Sequence, residues 1–221
     1  MTLVAPQIIL ILTIILFLST VFLHLVHKNT SAILLYVLQS SVIAFLLTFS
    51  LAEHFVWMSL IALLATIAAK IVLAPYFLST FVNSHHLRFS STTYLNNPLT
   101  LIIIALFVAL SFSRIFAPLA TLAPTNPTIV LITIASFLTS FFLLINRKGA
   151  ISQILGILSI ENSIVAFALF THLEQSPALE LGITFNIFIW ISIATIFVSL
   201  LYRQFGSLDV SSMKQLSEHT P

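Results

Sequence analysis

The feature that most constrains this sequence is a succession of long apolar segments almost free of charged residues. Of its 221 residues, 59% are hydrophobic and 6% are charged, and the mean hydropathy is +1.15. Soluble domains carry about 25% charged residues, so this chain has too few charges to cover a surface in water. A helix of about 20 residues crosses the hydrocarbon core of a bilayer. The segments therefore predict an integral membrane protein.

The apolar segments predict an all-α, polytopic membrane helix bundle with about seven transmembrane helices. They are continuously apolar and do not alternate every second residue, which disfavours the strands of a β-barrel. The first segment lacks a basic start and a small-residue cleavage site, so it is expected to be a retained helix. The predicted spans are residues 4–26, 31–51, 55–81, 98–118, 126–146, 150–171 and 178–203.

Basic residues outside the spans orient the predicted bundle. Loops one, three and five and the C-terminal tail contain Lys or Arg, whereas loops two, four and six contain neither. Basic loops are retained on the cytoplasmic side, which predicts an outside N-terminus and a cytoplasmic C-terminus. The residues concerned are Lys28, Arg88, Arg147, Lys148, Arg203 and Lys214.

Two ionisable residues lie deep inside predicted spans, where each costs about 2.5–3.5 kcal/mol on insertion scales. Glu161 is near the middle of span six, either as a proton-carrying carboxyl or as a neutral group that hydrogen-bonds a neighbouring helix. Lys70 lies well inside span three and needs a carboxylate or a hydrated cavity. Its partner is Glu161 or a carboxylate on another subunit, in a functional or a purely structural pair. Pro75 is expected to free a backbone carbonyl near residue 71 and to kink the helix.

The remaining polar residues of the spans lie closer to the ends. Glu180 is in the first turn of span seven, where it either complements the helix dipole or passes protons. Asn186 lies about a third of the way into the same span. Arg114 is near the outer end of span four and is expected to reach the headgroups by snorkelling. Most histidines are near span ends and are predicted to be interfacial, and the adjacent pair His85-His86 has no third metal ligand nearby.

Small and amide side chains predict contacts between helices. Gln39, Ser40 and Ser41 in span two are expected to hydrogen-bond neighbouring helices, and Gly156 and Ser163 are small enough to permit close approach of span six to another helix.

Motifs for chemistry are missing from the sequence. The chain contains no cysteine, which excludes disulfides, thiolate-bound clusters and Cys-type zinc sites. It contains no nucleotide-binding loop, no H-E-x-x-H and no nucleophile elbow. The net charge of +2 comes from few groups and does not suggest nucleic-acid binding. We therefore predict no catalytic residue, cofactor, metal site or nucleic-acid partner.

Several short segments, in this order and spacing, resemble a known family. They are residues 36–40 (Tyr-Val-Leu-Gln-Ser), 70–75 (Lys-Ile-Val-Leu-Ala-Pro), 146–147 (Asn-Arg) leading to 161–163 (Glu-Asn-Ser), 180–183 (Glu-Leu-Gly-Ile) and 206–210 (Gly-Ser-Leu-Asp-Val). The family is that of the hydrogenase-4 E-type membrane subunits, which belong to formate hydrogenlyase and related group 4 hydrogenase complexes. The last third also resembles the K-type subunit of complex I and the C subunit of Mrp antiporters.

The resemblance implies a division of the chain and a proton relay. It implies an N-terminal four-helix membrane part (1–125), a K-subunit-like three-helix part (126–205) and a cytoplasmic tail (206–221). Glu161 matches the first buried carboxylate of the family's proton path, and Lys70 lies in its lysine-containing segment. Where the family often carries an Asp in span seven, this sequence has Asn186, which cannot release a proton. Two alternatives follow: Glu180, one to two turns earlier, substitutes for the Asp, or this step of the relay is lost.

The function implied by the resemblance is that of a non-catalytic membrane subunit. It would lie in a bacterial or archaeal cytoplasmic (inner) membrane, bind other membrane subunits and contribute to proton or cation translocation coupled to redox chemistry in its partners. Two alternatives remain. One is a subunit of a cation/proton antiporter without a redox module, and the other is a scaffold in another antiporter-like assembly, such as one for inorganic carbon uptake.

Overall fold

The structure, a computed structural model, describes residues 6–53, 55, 57–84, 93–123 and 126–171. Over these residues the chain is helical, with one isolated β-bridge between Thr93 and Arg147. The elements are α1 (Pro6–Leu25), α2 (Asn29–Glu53), α3 (Trp57–Thr66), a π-helical segment (Ile67–Leu73), α4 (Ala74–Ser84), α5 (Asn97–Ser111), α6 (Ala117–Ala120), α7 (Pro127–Asn146) and α8 (Ala150–Phe170). The prediction of an all-helical chain is confirmed for this part.

Five stretches of the described chain are long and apolar enough to cross a membrane. They are Pro6–Leu25, Asn29–Ala52, Leu63–Asn83, Pro127–Asn146 and Ala150–Phe170, and they correspond to predicted spans one, two, three, five and six. The third runs without interruption through α3, the π-helical segment and α4. Predicted span seven lies outside the described residues.

The helix of predicted span four is shorter than expected. It begins after Asn96, whose side chain accepts a hydrogen bond from the Leu99 N–H at 3.1 Å, and it carries Pro98 in its first turn. It ends at Ser111 after 15 residues, which is about 22 Å of helix against a hydrocarbon core of about 30 Å. The chain then turns, and Ser113 Oγ accepts from the Ile115 N–H. Arg114 lies in this turn and is exposed.

The centre of the bundle is formed by α1, α2, α7 and α8, and the helix that contains the π-helical segment packs against α2. The α7–α8 pair is the closest. A Cβ added to Gly156 would lie 3.1 Å from the backbone nitrogen of Leu144, so only glycine fits at this separation without movement of α7. Ser140 and Ser159 hydrogen-bond across the pair at 2.8 Å. The prediction of close approach at Gly156 is confirmed.

Candidate functional site

The two deeply placed ionisable residues meet inside the bundle. Lys70 Nζ lies 2.6 Å from Glu161 Oε1, and the exposed fractions of the two side chains are 1% and 14%. Glu161 is in the middle of α8, and Lys70 is in the π-helical segment. Both Glu161 oxygens are buried, so the exposed part of this side chain is its hydrocarbon stem. Of the two partners considered for Lys70, the structure therefore supports Glu161.

Asn162 links this ion pair to a third element. Lys70 Nζ donates to Asn162 Oδ1 at 3.1 Å, and Asn162 Nδ2 donates to Ser40 Oγ at 3.3 Å. Lys70, Asn162 and Ser40 are all buried. Because a buried cation is stable only when its donors are occupied, the amide and the carboxylate together hold the ammonium group in one place. We call Lys70, Glu161, Asn162 and Ser40 the charge-pair cluster.

The backbone around Lys70 is wound more widely than an α-helix. Residues Ile67–Leu73 form a π-helical segment, and the N–H of the following Ala74 donates to the carbonyl of Ala69, five residues earlier. Pro75 comes next; it lacks an N–H, and its ring would crowd the preceding turn of a regular helix. The wide turns relieve that crowding. Where a freed carbonyl and a kink were predicted before Pro75, the structure has a π-helical segment, a feature that is frequent at functional sites.

The electrostatics of the cluster follow from its burial. An ion pair away from water is strongly coupled, and removal of one partner leaves an uncompensated charge. Tyr36 is fully buried one turn before Ser40 on α2 and lies within electrostatic reach of Glu161. A carboxyl group whose charge is balanced by one neighbouring ammonium can gain or release a proton when that neighbour moves or changes its charge. The arrangement is therefore suited to proton exchange and contains no nucleophile–base pair among the described side chains.

The other polar residues predicted in span two behave differently from one another. Gln39 Nε2 donates to Thr20 Oγ1 on α1 at 2.8 Å, and Ser40 accepts from Asn162, so both predictions of interhelical bonds are confirmed. The prediction for Ser41 is wrong, because its hydroxyl donates to the carbonyl of Val37 in its own helix. Ser41 is half-buried on α2, and a serine inside a helix commonly bonds back to the carbonyl four residues earlier.

Two members of the predicted proton relay, Glu180 and Asn186, lie outside the described residues. The structure brings Lys70 and Glu161 together, and the proton relay itself stays a prediction for all four residues. Asn162 was not among the predicted site residues, although it is adjacent to Glu161. The sequence signal that could have identified it is an amide next to a carboxylate inside an apolar span.

Arg147 also has a role that its position in a basic turn did not reveal. Its side chain is only 2% exposed, and Nη2 donates to the carbonyls of Leu23, His24 and Val26 at 2.8, 2.8 and 2.7 Å. These are carbonyls at the C-terminal end of α1, where a positive charge is favoured by the helix dipole. Burial lowers the pKa of the guanidinium, which nevertheless stays protonated at neutral pH.

The ends of several helices lie around the Arg147 turn. The N–H of Tyr94 donates to Asn146 O, and the N–H of Leu95 donates to Asn146 Oδ1. Lys148 Nζ lies 4.9 Å from the centre of the Tyr94 ring, which permits a cation–π contact. The end of α1, the start of α2, the end of α7 and the start of α8 therefore meet here. We call this the Arg147 end of the bundle.

The prediction of an interfacial histidine is wrong for His24. This residue is in the last turn of α1 but is only 1% exposed. Its Nε2 lies 3.0 Å from Thr139 O on α7, and its ring stacks on Phe142 with the ring centres 5.1 Å apart. It is buried because α7 and the Arg147 turn cover the end of α1. His27, two residues after the end of α1, is exposed as predicted.

The described residues contain no group of three or more His, Asp or Glu side chains that could hold a metal ion.

The comparisons with known proteins show limited similarity. No family model matches the chain, and no solved structure matches it. Among curated proteins, the chain is 25% identical over 156 residues to "Uncharacterized protein Rv0085" of Mycobacterium tuberculosis, an alignment that covers 70% of this chain and 71% of that protein. This similarity extends over most of both chains but identifies no activity.

Proposed function

We propose that this chain is a non-catalytic integral membrane subunit of a complex I-like or group 4 hydrogenase-like assembly, in which it contributes to proton or cation translocation. The observation that carries the proposal is the buried Lys70–Glu161 pair at 2.6 Å in the middle of the bundle. Ionisable groups are rare in transmembrane segments, and those that occur usually mark an ion or proton path. Partner subunits would perform the redox chemistry.

The membrane orientation is part of the same proposal. The Arg147 end carries Lys28, Arg147 and Lys148, and basic residues favour the cytoplasmic side. Under this proposal, the N-terminus lies outside and the Arg147 end lies at the cytoplasmic face of a bacterial or archaeal inner membrane. Glu180 and Asn186 would extend the relay from Glu161 in span seven.

A second candidate function is a subunit of a cation/proton antiporter without a redox module. The Lys70–Glu161 pair favours this function as well, since the pair is complete within the chain and needs no electron carrier to exchange a proton. The two candidates differ in their partners. Purification of the tagged chain from native membranes should recover a nickel-binding large subunit and iron–sulfur proteins under the first, and only other membrane subunits under the second.

Replacement of Glu161 by Gln tests the role of the carboxyl group. Glu161→Gln keeps the size of the side chain and an acceptor for Lys70 but cannot carry a proton. We expect coupled proton movement, measured with a pH-sensitive dye in native membrane vesicles, to be abolished while the tagged chain still recovers the same partners.

The matched control is Glu53→Gln, at the opposite end of α2 from the Arg147 end, which should leave proton movement unchanged. Proton movement at the wild-type rate in the Glu161→Gln vesicles would reject the relay role of Glu161 and leave only a structural pair.

A further inference from the structure

His24 is a buried imidazole whose tautomer is set by its surroundings. Its Nε2 lies 3.0 Å from Thr139 O. A backbone carbonyl only accepts hydrogen bonds, so Nε2 carries the hydrogen and Nδ1 presents a lone pair in the neutral ring. Nδ1 is buried and has no hydrogen-bond partner among the described residues. The ring is therefore held by one nitrogen, and the lone pair of the other nitrogen has no partner in the described structure.

Two other buried polar atoms near His24 have unused hydrogen-bonding capacity within the described structure. They are Gln39 Oε1 on α2 and Thr139 Oγ1 on α7. Gln39 is bonded to Thr20, which is one turn before His24 on the same face of α1. Buried polar atoms that the protein leaves unpaired are the atoms that internal water usually binds. These atoms thus mark a hydrophilic line between α1, α2 and α7.

This line leads to the charge-pair cluster. Gln39 is followed in α2 by Ser40, which accepts a hydrogen bond from Asn162 beside Glu161. Tyr36, one turn earlier on α2, is buried and within electrostatic reach of Glu161. Buried polar residues therefore occur on α1, α2 and α8 between the last turn of α1 and the middle of α8, beside the apolar clusters of the core.

The other end of the line is the Arg147 end. Arg147 donates to the carbonyl of His24 itself at 2.8 Å. Among the described residues, Arg147 is the charged group that faces His24 from the α7–α8 turn, and Tyr36 is a buried titratable side chain on α2. His24 thus lies between the helix ends and the buried carboxyl.

We propose that His24 is a proton-transfer residue that connects the Arg147 end of the bundle with Glu161. Nδ1 takes a proton from internal water on the Arg147 side and returns a proton to water near Gln39, and from there it reaches the Glu161 carboxylate. The Nε2–H stays bonded to Thr139 O throughout, so the ring carries one additional proton at a time. This inference rests on the proposed function of Glu161 and adds the end of the bundle from which that residue receives its proton.

The test follows protonation of Glu161 in the full-length chain reconstituted in lipid vesicles. Infrared difference spectra are recorded after a pH jump, and the bands of Glu161 are identified by their loss in Glu161→Gln. His24→Gln keeps an N–H donor for Thr139 O but cannot transfer a proton. It is expected to slow the response of Glu161 about a hundredfold, a typical size for a positioned acid–base group, without changing its final extent.

The matched control is His27→Gln, an exposed imidazole at the same end of the bundle, which should respond at the wild-type rate. A wild-type rate in His24→Gln overturns the inference. If Glu161 bands respond normally in His24→Gln while Glu161→Gln abolishes proton movement in native vesicles, the inference fails and the proposed function stands. If Glu161→Gln leaves proton movement intact, the proposed function fails first.

A second measurement needs no substitution and covers the case in which His24→Gln does not fold. Nitrogen-15 spectra of His24 in the unaltered chain should show exchange broadening at Nδ1 as it alternates between protonated and non-protonated forms. A sharp Nδ1 signal of the Nε2–H tautomer throughout the pH range in which Glu161 responds would contradict a transfer role.

Discussion

At the scale of single residues, the charge-pair cluster depends on the 2.6 Å contact between Lys70 Nζ and Glu161 Oε1. Lys70 and Glu161 could be identified from the sequence as candidate site residues because each interrupts an apolar segment. Their pairing was one of two alternatives left open for Lys70, since the two residues are far apart in the chain and hydropathy does not tell which faces of two helices meet. Asn162 and Arg147 were missed as buried partners for a similar reason. The sequence does not show whether an amide or a basic side chain is solvated or buried.

A double-mutant cycle tests whether the Lys70–Glu161 contact is a coupled pair. Lys70→Met and Glu161→Gln each leave one buried partner without its counter-charge, and each is expected to lower the free energy of unfolding by about 3–5 kcal/mol. The double variant should lose clearly less than the sum of the two single losses. The measurement is reversible unfolding of the reconstituted chain, and strictly additive losses would show that the two charges do not interact.

At the scale of elements, two helices begin at residues whose chemistry suits a helix start. Asn96 caps α5, and Pro127 occupies the first position of α7, as its fixed backbone angle favours. The end of α5 was not predictable from hydropathy, because the apolar run continues through Phe112, Ile115 and Phe116. The turn depends instead on hydrogen bonds of Ser111 and Ser113 with the backbone, which a composition window does not register.

Gly156 provides a test of the packing between α7 and α8. In an unconstrained helix, Gly→Ala is stabilising by about 1 kcal/mol. Here the new methyl group would meet the Leu144 backbone at 3.1–3.2 Å, and overpacking of this kind costs about 1–3 kcal/mol. We expect Gly156→Ala to lower the thermal unfolding temperature, and Gly156→Leu to lower it further.

The control for this prediction is Ile157→Ala, next in the helix and 49% exposed, which should have little effect. A rise in the unfolding temperature of Gly156→Ala would show that α7 moves away without cost and that the close approach is not a constraint.

At the scale of the whole molecule, composition was sufficient to predict a helical chain with segments apolar enough to cross a membrane, because so apolar a chain has few other ways to satisfy its backbone. The number of spans was harder to predict. Hydropathy gave α5 the length of a full span, whereas the structure has a helix of 15 residues there. How the helices assemble also depended on buried contacts such as the Arg147 cap on α1.

The proposed orientation can be tested by cysteine labelling, since the chain contains no native cysteine. Single variants Lys28→Cys and Lys148→Cys, at the Arg147 end, should be protected from a membrane-impermeant maleimide added to intact cells. Phe55→Cys and Thr121→Cys, both exposed in the structure, should react. The reverse pattern would invert the topology, and reaction of both sets from one side would contradict a membrane-spanning bundle.

The wide winding around Lys70 has a consequence for how its partner is chosen. A π-helical segment holds more residues per turn than an α-helix. Its position along the helix shifts when backbone hydrogen bonds between residues five apart are exchanged for bonds between residues four apart. Each such exchange would rotate the side chains it passes by about 100°. The winding of this backbone thus determines whether the Lys70 ammonium group faces α8. A displacement of either end of the helix that changed the winding would therefore move this positive charge toward or away from Glu161.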